Sequence, residues 1–187
     1  MIDLATRFDA GLGYHDYLHK YGTEEQRRRW QAVRERVLLA PEQRELLLSF
    51  SREMKVFCVA GAWCGDCANQ CPIFEHFAIV NSRIRVRYFD RDAHPDLAAW
   101  LSICGAPRVP VVLFASEDNY QVGWYGDRTL AKYRQVARQE FGATCPTGLV
   151  PDEAGLLAAV TQDWLNEFER IQLILRTSAR LRKLHGD

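Results

Sequence analysis

Two cysteines separated by two residues, Cys64-Gly65-Asp66-Cys67, follow almost directly on the continuous apolar run Val56-Phe57-Cys58-Val59-Ala60. A short run of this kind reads as a strand buried on both faces. The segment after it, reaching to about Val80, reads as a helix that the cysteine motif opens. A buried strand feeding a helix is the unit of α/β folds, so few architectures suit such a chain. The position also sets the chemistry. The first turn of a helix leaves backbone N–H groups unpaired and carries the positive end of the helix dipole. Both favour a thiolate at Cys64, the form of sulfur that attacks a disulfide. Cys67, one turn on, is placed to attack the resulting mixed disulfide and release it. Zinc sites share the Cys-x-x-Cys spacing, so the motif needs its strand-and-helix setting to be informative.

The neighbouring segments extend the alternation. From Tyr14 to about Arg52 the pattern is helical, with Trp30, Val33, Val37 and Leu38 at helix spacing and a further helix opened by Pro41. Ile84-Arg85-Val86-Arg87-Tyr88-Phe89 alternates with period two and predicts a second strand. A helix is expected around Pro95 to Ile103, with Asp90 and Asp92 as candidate caps. Val111-Val112-Leu113-Phe114-Ala115 and Tyr120-Gln121-Val122-Gly123-Trp124-Tyr125 are joined by a polar turn and predict an antiparallel hairpin. A helix capped by Asp127 or Thr129 follows, to about Phe141. The order β-α-β-α-β-β-α implies a mixed central sheet with helices on both faces. After a Gly-, Pro- and Thr-rich loop, Leu157, Val160, Trp164, Phe168, Ile171 and Leu175 mark a long helix. Its stripe suits packing onto its own domain; as the seam of a dimer it is short. The expected divisions are a helical N-terminal extension (1–53), an α/β domain (54–141), and a loop with a C-terminal helix packed on that domain (142–187).

Charge excludes some partners. The 24 basic and 24 acidic side chains cancel, which removes any general pull toward nucleic acid or anionic membrane. No run approaches the roughly 20 apolar residues of a membrane span. The N-terminus lacks a basic stretch followed by an apolar one, so a cytoplasmic location is expected. In a reducing compartment the six cysteines, with three of them within residues 64–71, point to redox chemistry or metal binding rather than a disulfide framework. Cys58 and Cys104 sit among apolar neighbours and read as small buried hydrophobes. Cys71, four residues after Cys67, lies on the same helix face. Helix packing, a role as an alternative resolving thiol, and metal ligation with Cys64 and Cys67 are all open to it. No fourth ligand presents itself, so no metal site is assigned. His15 and His19 read as a solvated helix face, and Arg27-Arg28-Arg29 as a surface run paired with Glu24 and Glu25.

Ala62-Trp63-Cys64-Gly65-Asp66-Cys67 resembles the active-site segment of the thioredoxin superfamily, whose best-known members carry Trp-Cys-Gly-Pro-Cys. Pro72 falls where the family has a helix-kinking proline. Arg108-Val109-Pro110 is similar to its cis-proline loop, and Gly126 to the glycine lining its substrate groove. These matches come in the family's order over about half the chain. The helical N-terminal extension and the Trp-Cys-Gly-Asp-Cys variant most resemble a bacterial thioredoxin-like branch. The resemblance implies a thioredoxin-like α/β fold with helical extensions, Trp63 as an apolar shoulder for substrate, Pro110 facing the disulfide, and Val109 backbone pairing with a bound peptide.

The departures carry weight too. Asp66 replaces the family proline and should oppose a Cys64 thiolate, with Arg108 as its counter-charge. The family's buried Asp is matched by Cys58, and its paired lysine falls near Tyr88. Asp66, or a water it holds, is the expected proton acceptor for Cys67. The reading is therefore a thiol–disulfide oxidoreductase with Cys64 as nucleophile, Cys67 as resolving thiol and Asp66 assisting. Trp63, Arg108, Val109, Pro110 and Gly126 form the substrate side. It needs no cofactor, acts on protein or small-thiol disulfides, and is recharged by an unidentified reductant. It requires neither sulfur to be sealed in the interior. The rival readings are a binding module with idle cysteines and a cysteine-ligated metal protein.

Overall fold

The computed structural model describes residues 3–142 and 153–187; Cys145 and most of the Gly-, Pro- and Thr-rich loop lie outside them. The central strand β1 (Met54–Ala60) supplies the organising element. It pairs in parallel with β2 (Ile84–Asp90) and antiparallel with β3 (Val111–Ser116), which in turn pairs antiparallel with β4 (Gln121–Gly126). The order β2-β1-β3-β4 makes a mixed sheet, as the alternating sequence signals require. Its two inner strands, β1 and β3, carry the apolar runs because both of their faces are covered.

Side-chain alternation divides the helices between those faces. On one face Cys58 of β1, Tyr88 of β2 and Phe114 of β3 look toward α5 (Gly65–Val80) and α8 (Glu153–Thr177). Trp164 and Phe168 of α8 are fully buried against Phe74, with Phe168 also meeting Phe77 and Phe114, and Trp164 meeting Tyr125. The apolar stripe of α8 thus closes the core of its own chain. Also on this face, α2 (Tyr14–Tyr21) and α3 (Glu24–Arg36) bring Tyr14, Tyr17 and Trp30 around Tyr88. On the opposite face Phe57 stacks with Phe89 and meets Phe8 of α1 (Leu4–Asp9). There α6 (Pro95–Trp100) is tied to α1 by the Arg7–Asp96 ion pair. The helix α4 (Pro41–Leu48) and the hairpin-following α7 (Leu130–Phe141) complete the layers. Thr23 and Thr129 cap α3 and α7 through their side chains.

Several expectations change. Short α1 has too few residues to show a period, so it leaves no sequence signature. Leu38, expected to continue the helical spacing of Trp30, Val33 and Val37, is 83% exposed beyond the end of α3. The helix expected to reach Ile103 stops at Trp100, and Asp90 holds the preceding turn by accepting from the Asp92 and Ala93 N–H groups rather than capping it. The single C-terminal helix is two, because Ser178 ends α8 and caps α9 (Ala179–His185). The N-terminal region is woven into the sheet: Leu12 exchanges backbone hydrogen bonds with Tyr88 at the outer edge of β2. Among the described residues no helix is long and apolar enough to cross a membrane.

Because Trp164 fills the gap between α5 and β4, Trp164→Ala should cost about 3–5 kcal/mol of unfolding free energy. Urea denaturation followed by circular dichroism measures this. A loss below about 1 kcal/mol would mean that α8 lies outside the cooperative core.

Candidate active site

The carboxyl end of β1 delivers the chain to Gly61, where the backbone turns and enters α5. Cys64 is the N-cap residue of that helix, in extended conformation, and its own N–H bonds back to the Gly61 carbonyl at 3.0 Å. The N–H groups of Asp66 and Cys67 face the Cys64 sulfur and favour its charged form, the local effect of a helix N-terminus, though the neighbouring Cys67 thiol and burial act on it more strongly in the other direction. Trp30 Nε1 donates to the Ala62 carbonyl at 3.0 Å and fixes the approach to this turn. The Trp63 indole folds over Gly61, where a Cβ would stand 2.6 Å from the ring. That ring remains 45% exposed beside the sulfur, with the Arg91 guanidinium 4.5 Å from its centroid.

The two cysteines differ sharply in access. Cys64 is half-buried, whereas Cys67 has no exposed surface. The sequence reading required neither sulfur to be sealed in the interior, and for Cys67 the structure departs from that. Its way out runs through Cys64, with which it is in hydrogen-bond contact. A resolving thiol attacks a disulfide formed on Cys64 itself, so contact with that sulfur is the geometry it needs.

The thiols titrate as a pair. Burial alone would push the Cys67 thiol up. Hydrogen bonds from Cys64, Cys71 and the Gly61 N–H (3.4 Å) outweigh it and bring Cys67 down to about 5. Cys64 moves the other way, because it donates to Cys67, is partly desolvated and faces the charge there. At neutral pH the pair thus holds one negative charge and one proton. The proton sits between two sulfurs, with the Val109 carbonyl oxygen, 3.5 Å from Cys64 Sγ, as a further acceptor.

Val109 and Pro110 lie beside the motif, joined by a cis peptide bond. Behind them Gly126 makes a close approach: a Cβ there would stand 2.5 Å from the Pro110 oxygen and 2.9 Å from Val111 Cα. An open groove of about 700 Å³ runs past Trp63, Cys64, Arg108, Val109, Arg128 and Tyr133. The structure thus gathers Trp63, Cys64, Asp66, Cys67, Arg108, Val109, Pro110 and Gly126 at one end of the sheet.

The charge partners differ from those expected. Asp66 pairs with Arg128, whose Nε donates to its carboxylate at 2.7 Å. Arg108 instead lies 3.6 Å from Asp127, which also accepts from the Tyr133 hydroxyl. The Asp66 backbone N–H favours the charged form of Cys64, whereas its carboxylate opposes a charge on Cys67. With Arg128 holding that carboxylate, Asp66 is poorly disposed to serve as the proton acceptor. Sequence reasoning also missed Gln70. This buried side chain donates to the carbonyls of Asp127 (3.0 Å) and Asp66 (3.3 Å) and accepts from Trp164 Nε1 (2.9 Å), locking α5, the β4–α7 turn and α8 together. Gln and Arg are too common on helices and loops for either position to have stood out.

The remaining described cysteines divide. Cys104 is exposed, not buried as expected. Cys58 is buried on β1 in register with Tyr88, and its sulfur lies 3.7 Å from that of Cys71. Among the described residues no group of three His, Cys, Asp or Glu is arranged to hold a metal ion.

A family sequence model described as Thioredoxin matches residues 11–138. No curated protein matches the sequence. Among solved structures, a Pseudomonas aeruginosa protein of unknown function, PA1234, is similar at 18% identity and TM-score 0.70, covering 91% of this chain and 97% of its own. An HIV 4E10 epitope-scaffold is similar at 18% identity and TM-score 0.65, over 89% of this chain and 99% of its own. Mitochondrial thioredoxin 3 of Saccharomyces cerevisiae matches at 21% identity and TM-score 0.34, over 46% of this chain and 74% of its own. The first two likenesses are likenesses of fold.

The coupled thiols have a direct signature. Because the lowered pKa favours the charged form above it, thiolate absorbance at 240 nm should rise by one sulfur's worth as pH increases through about 5. The second step should wait for strongly alkaline pH. Cys67→Ala should abolish the low step and bring Cys64 down toward the ordinary thiol range, since its largest upward cause is removed. Absence of any step below pH 8 in the unsubstituted protein would refute the coupling.

Proposed function

The chain belongs to the thioredoxin family, and from that premise we propose that it is a thiol–disulfide oxidoreductase working through the Cys64–Cys67 couple. The observation that carries the reading is the position of Cys64. It is half-exposed at a helix N-cap, in contact with a buried partner thiol, and 3.5 Å from the backbone of Val109 in the groove wall.

The cycle follows from these contacts. A disulfide R–S–S–R′ enters the groove against Trp63 and the Val109 backbone. The shared proton moves from Cys64 to Cys67, leaving the charge on Cys64, where the N–H groups of Asp66 and Cys67 stabilise it. Cys64 Sγ attacks one substrate sulfur, the S–S bond breaks, and R′–S⁻ leaves. Cys67 then attacks Cys64 Sγ of the mixed disulfide, its proton passing to the departing R–S⁻. The protein ends with a Cys64–Cys67 disulfide and the substrate as one thiol and one thiolate, the latter protonated from water, so two electrons have crossed. The two sulfurs carry both, and the mechanism asks for no cofactor. A dithiol reductant of unspecified identity reverses the steps on the protein.

The groove supports a substrate presented as extended chain or as a small thiol. Arg91, Arg108 and Arg128 line it, but Arg108 and Arg128 are engaged by Asp127 and Asp66. This leaves little net charge to select substrates by.

Insulin reduction driven by a dithiol reductant tests the reading. The protein should accelerate precipitation, and Cys64→Ser should fall to the rate of the reductant alone. Cys67→Ser should accumulate a covalent mixed disulfide on Cys64, visible by mass under non-reducing conditions. If the unsubstituted protein gives no acceleration and Cys67→Ser traps nothing, the cysteines are idle and the groove serves recognition alone.

A further inference from the structure

The active-site sulfurs continue inward. Cys64 contacts Cys67, Cys67 contacts Cys71 one turn along the same helix face, and Cys71 Sγ lies 3.7 Å from Cys58 Sγ on β1. Cys58, Cys67 and Cys71 have no exposed surface. Four thiols thus form a row from the groove to the middle of the sheet, and the mechanism above uses only the outer two.

We propose that Cys58 and Cys71 form a second, interior dithiol–disulfide couple that exchanges electrons with the Cys64–Cys67 couple through Cys67 and Cys71. The proposal rests on the Cys64–Cys67 reading, and it doubles the capacity of one chain from two electrons to four.

Geometry makes the exchange local. A disulfide needs Cα atoms about 4.4–6.8 Å apart and sulfurs at about 2.05 Å. Cys67 and Cys71, at i and i+4 of a helix, carry Cβ atoms about 5–6 Å apart, so this turn must tighten to bring them to the roughly 3.5–4.5 Å that a disulfide spans. Cys58 and Cys71 need their sulfurs to close from 3.7 Å. The turn that must move is loosened, because Pro72 inside α5 has no N–H to give to the carbonyl four residues before it. The Cys71 carbonyl is instead held by the Tyr88 hydroxyl at 3.1 Å.

The steps balance. Starting from a Cys64–Cys67 disulfide, Cys71 Sγ attacks Cys67 Sγ; the Cys67–Cys71 bond forms, the Cys64–Cys67 bond breaks, and the Cys71 proton ends on Cys64. Cys58 Sγ then attacks Cys71 Sγ; the Cys58–Cys71 bond forms, Cys67 is released, and the Cys58 proton ends on Cys67. The outer pair is reduced and the inner pair oxidised, two electrons having moved outward from Cys58 and Cys71 to Cys64 and Cys67. The substrate disulfide that first oxidised Cys64 is the oxidant.

The surroundings suit slow, guarded exchange. Burial pushes the Cys58 and Cys71 thiols up, so both stay protonated and inert toward anything but a neighbouring disulfide. Two buried hydroxyls, those of Tyr14 and Tyr17, have no hydrogen-bond partner among the described residues. Tyr17 feels charge on Cys67, Cys71 and Cys58, and Tyr14 on Cys71, so both stand within electrostatic reach of the row.

Protein reduced completely and then exposed to excess oxidised glutathione provides the test. Samples are quenched in acid over time, unfolded, alkylated, cleaved after Trp63 and before Asp66, and mapped by mass spectrometry. The unsubstituted protein should show the Cys64–Cys67 disulfide first and a Cys58–Cys71 disulfide later, four of these thiols lost in place of two. Cys64→Ser should keep Cys58 and Cys71 reduced under the same conditions, because the oxidant has no other entry. A protein that stops at Cys64–Cys67, with Cys58 and Cys71 both alkylated, overturns this inference and leaves the outer couple standing. Equal Cys58–Cys71 formation in Cys64→Ser overturns the route through the active site. Failure to form Cys64–Cys67 at all overturns both readings.

Discussion

One geometric constraint governs the rest of the molecule: a strand buried on both faces must end somewhere, and here it ends at a helix N-terminus carrying a sulfur. β1 pairs on both of its edges and is covered by α5 on one face and by Phe8 and its neighbours on the other. Such a strand has no freedom to slide, since a one-residue slip would exchange its faces. Its end is therefore fixed, and so is the start of α5. Cys64 inherits that rigidity. Its sulfur stands where free N–H groups converge, and Cys67 and Cys71 follow inward at successive turns. The helix and strand that build the core thus also determine which thiol meets solvent and which do not.

Around that fixed point the polar groups form a second frame. Gln70 is the junction, bonding in one side chain to the backbone of Asp66 and Asp127 and to Trp164. A buried amide left unpaired costs about 1–3 kcal/mol, so each of these bonds holds the others in place. The Asp66–Arg128 and Asp127–Arg108 pairs bind the same loop to the first turn of α5 and to the residues before Pro110. The result is that three segments distant in sequence (the cysteine turn, the Val109–Pro110 loop and the start of α7) are connected by bonds no longer than 3.6 Å. Carboxylates close to a thiolate would ordinarily hold its proton on. Paired with guanidinium groups, they leave the sulfurs to set their own balance.

Much of this was legible in the sequence because it was written in local patterns. Buried strands show as apolar runs, the outer strand β2 as alternation, and helix starts as Pro41, Pro95 and Thr129. The active-site turn was legible because its residues are rare in combination. What escaped was tertiary. Arg128 and Arg108 are twenty residues apart, and only the fold decides which meets Asp66. Leu38 continues the spacing of Trp30, Val33 and Val37, yet the helix ends before it. Cys58 read as a small buried hydrophobe, which its burial supports; its neighbour Cys71 required the packing of α5 on β1 to be known. The break at Ser178 lies past the last residue of the apolar stripe, Leu175, whose spacing carries no sign of it.

The thiol at position 58 has a consequence for how the site manages protons. A carboxylate there would be costly to bury charged and would oppose a thiolate on Cys67. Cys58 is buried as a small apolar group and, kept protonated by burial, adds no negative charge beneath the site. The Cys67 sulfur is surrounded by donors (Cys64, Cys71 and the Gly61 N–H), which is why one charge settles on the pair at so low a pH. On the proposed mechanism one short proton transfer, from Cys64 to Cys67, readies the nucleophile, and the remaining proton problem falls in the second step. There the substrate's own departing thiolate is the nearest strong base, because Asp66 is held by Arg128. Resolution is thereby coupled to the basicity of the leaving thiol: substrates whose sulfur is reluctant to leave are also the ones that take the Cys67 proton most readily.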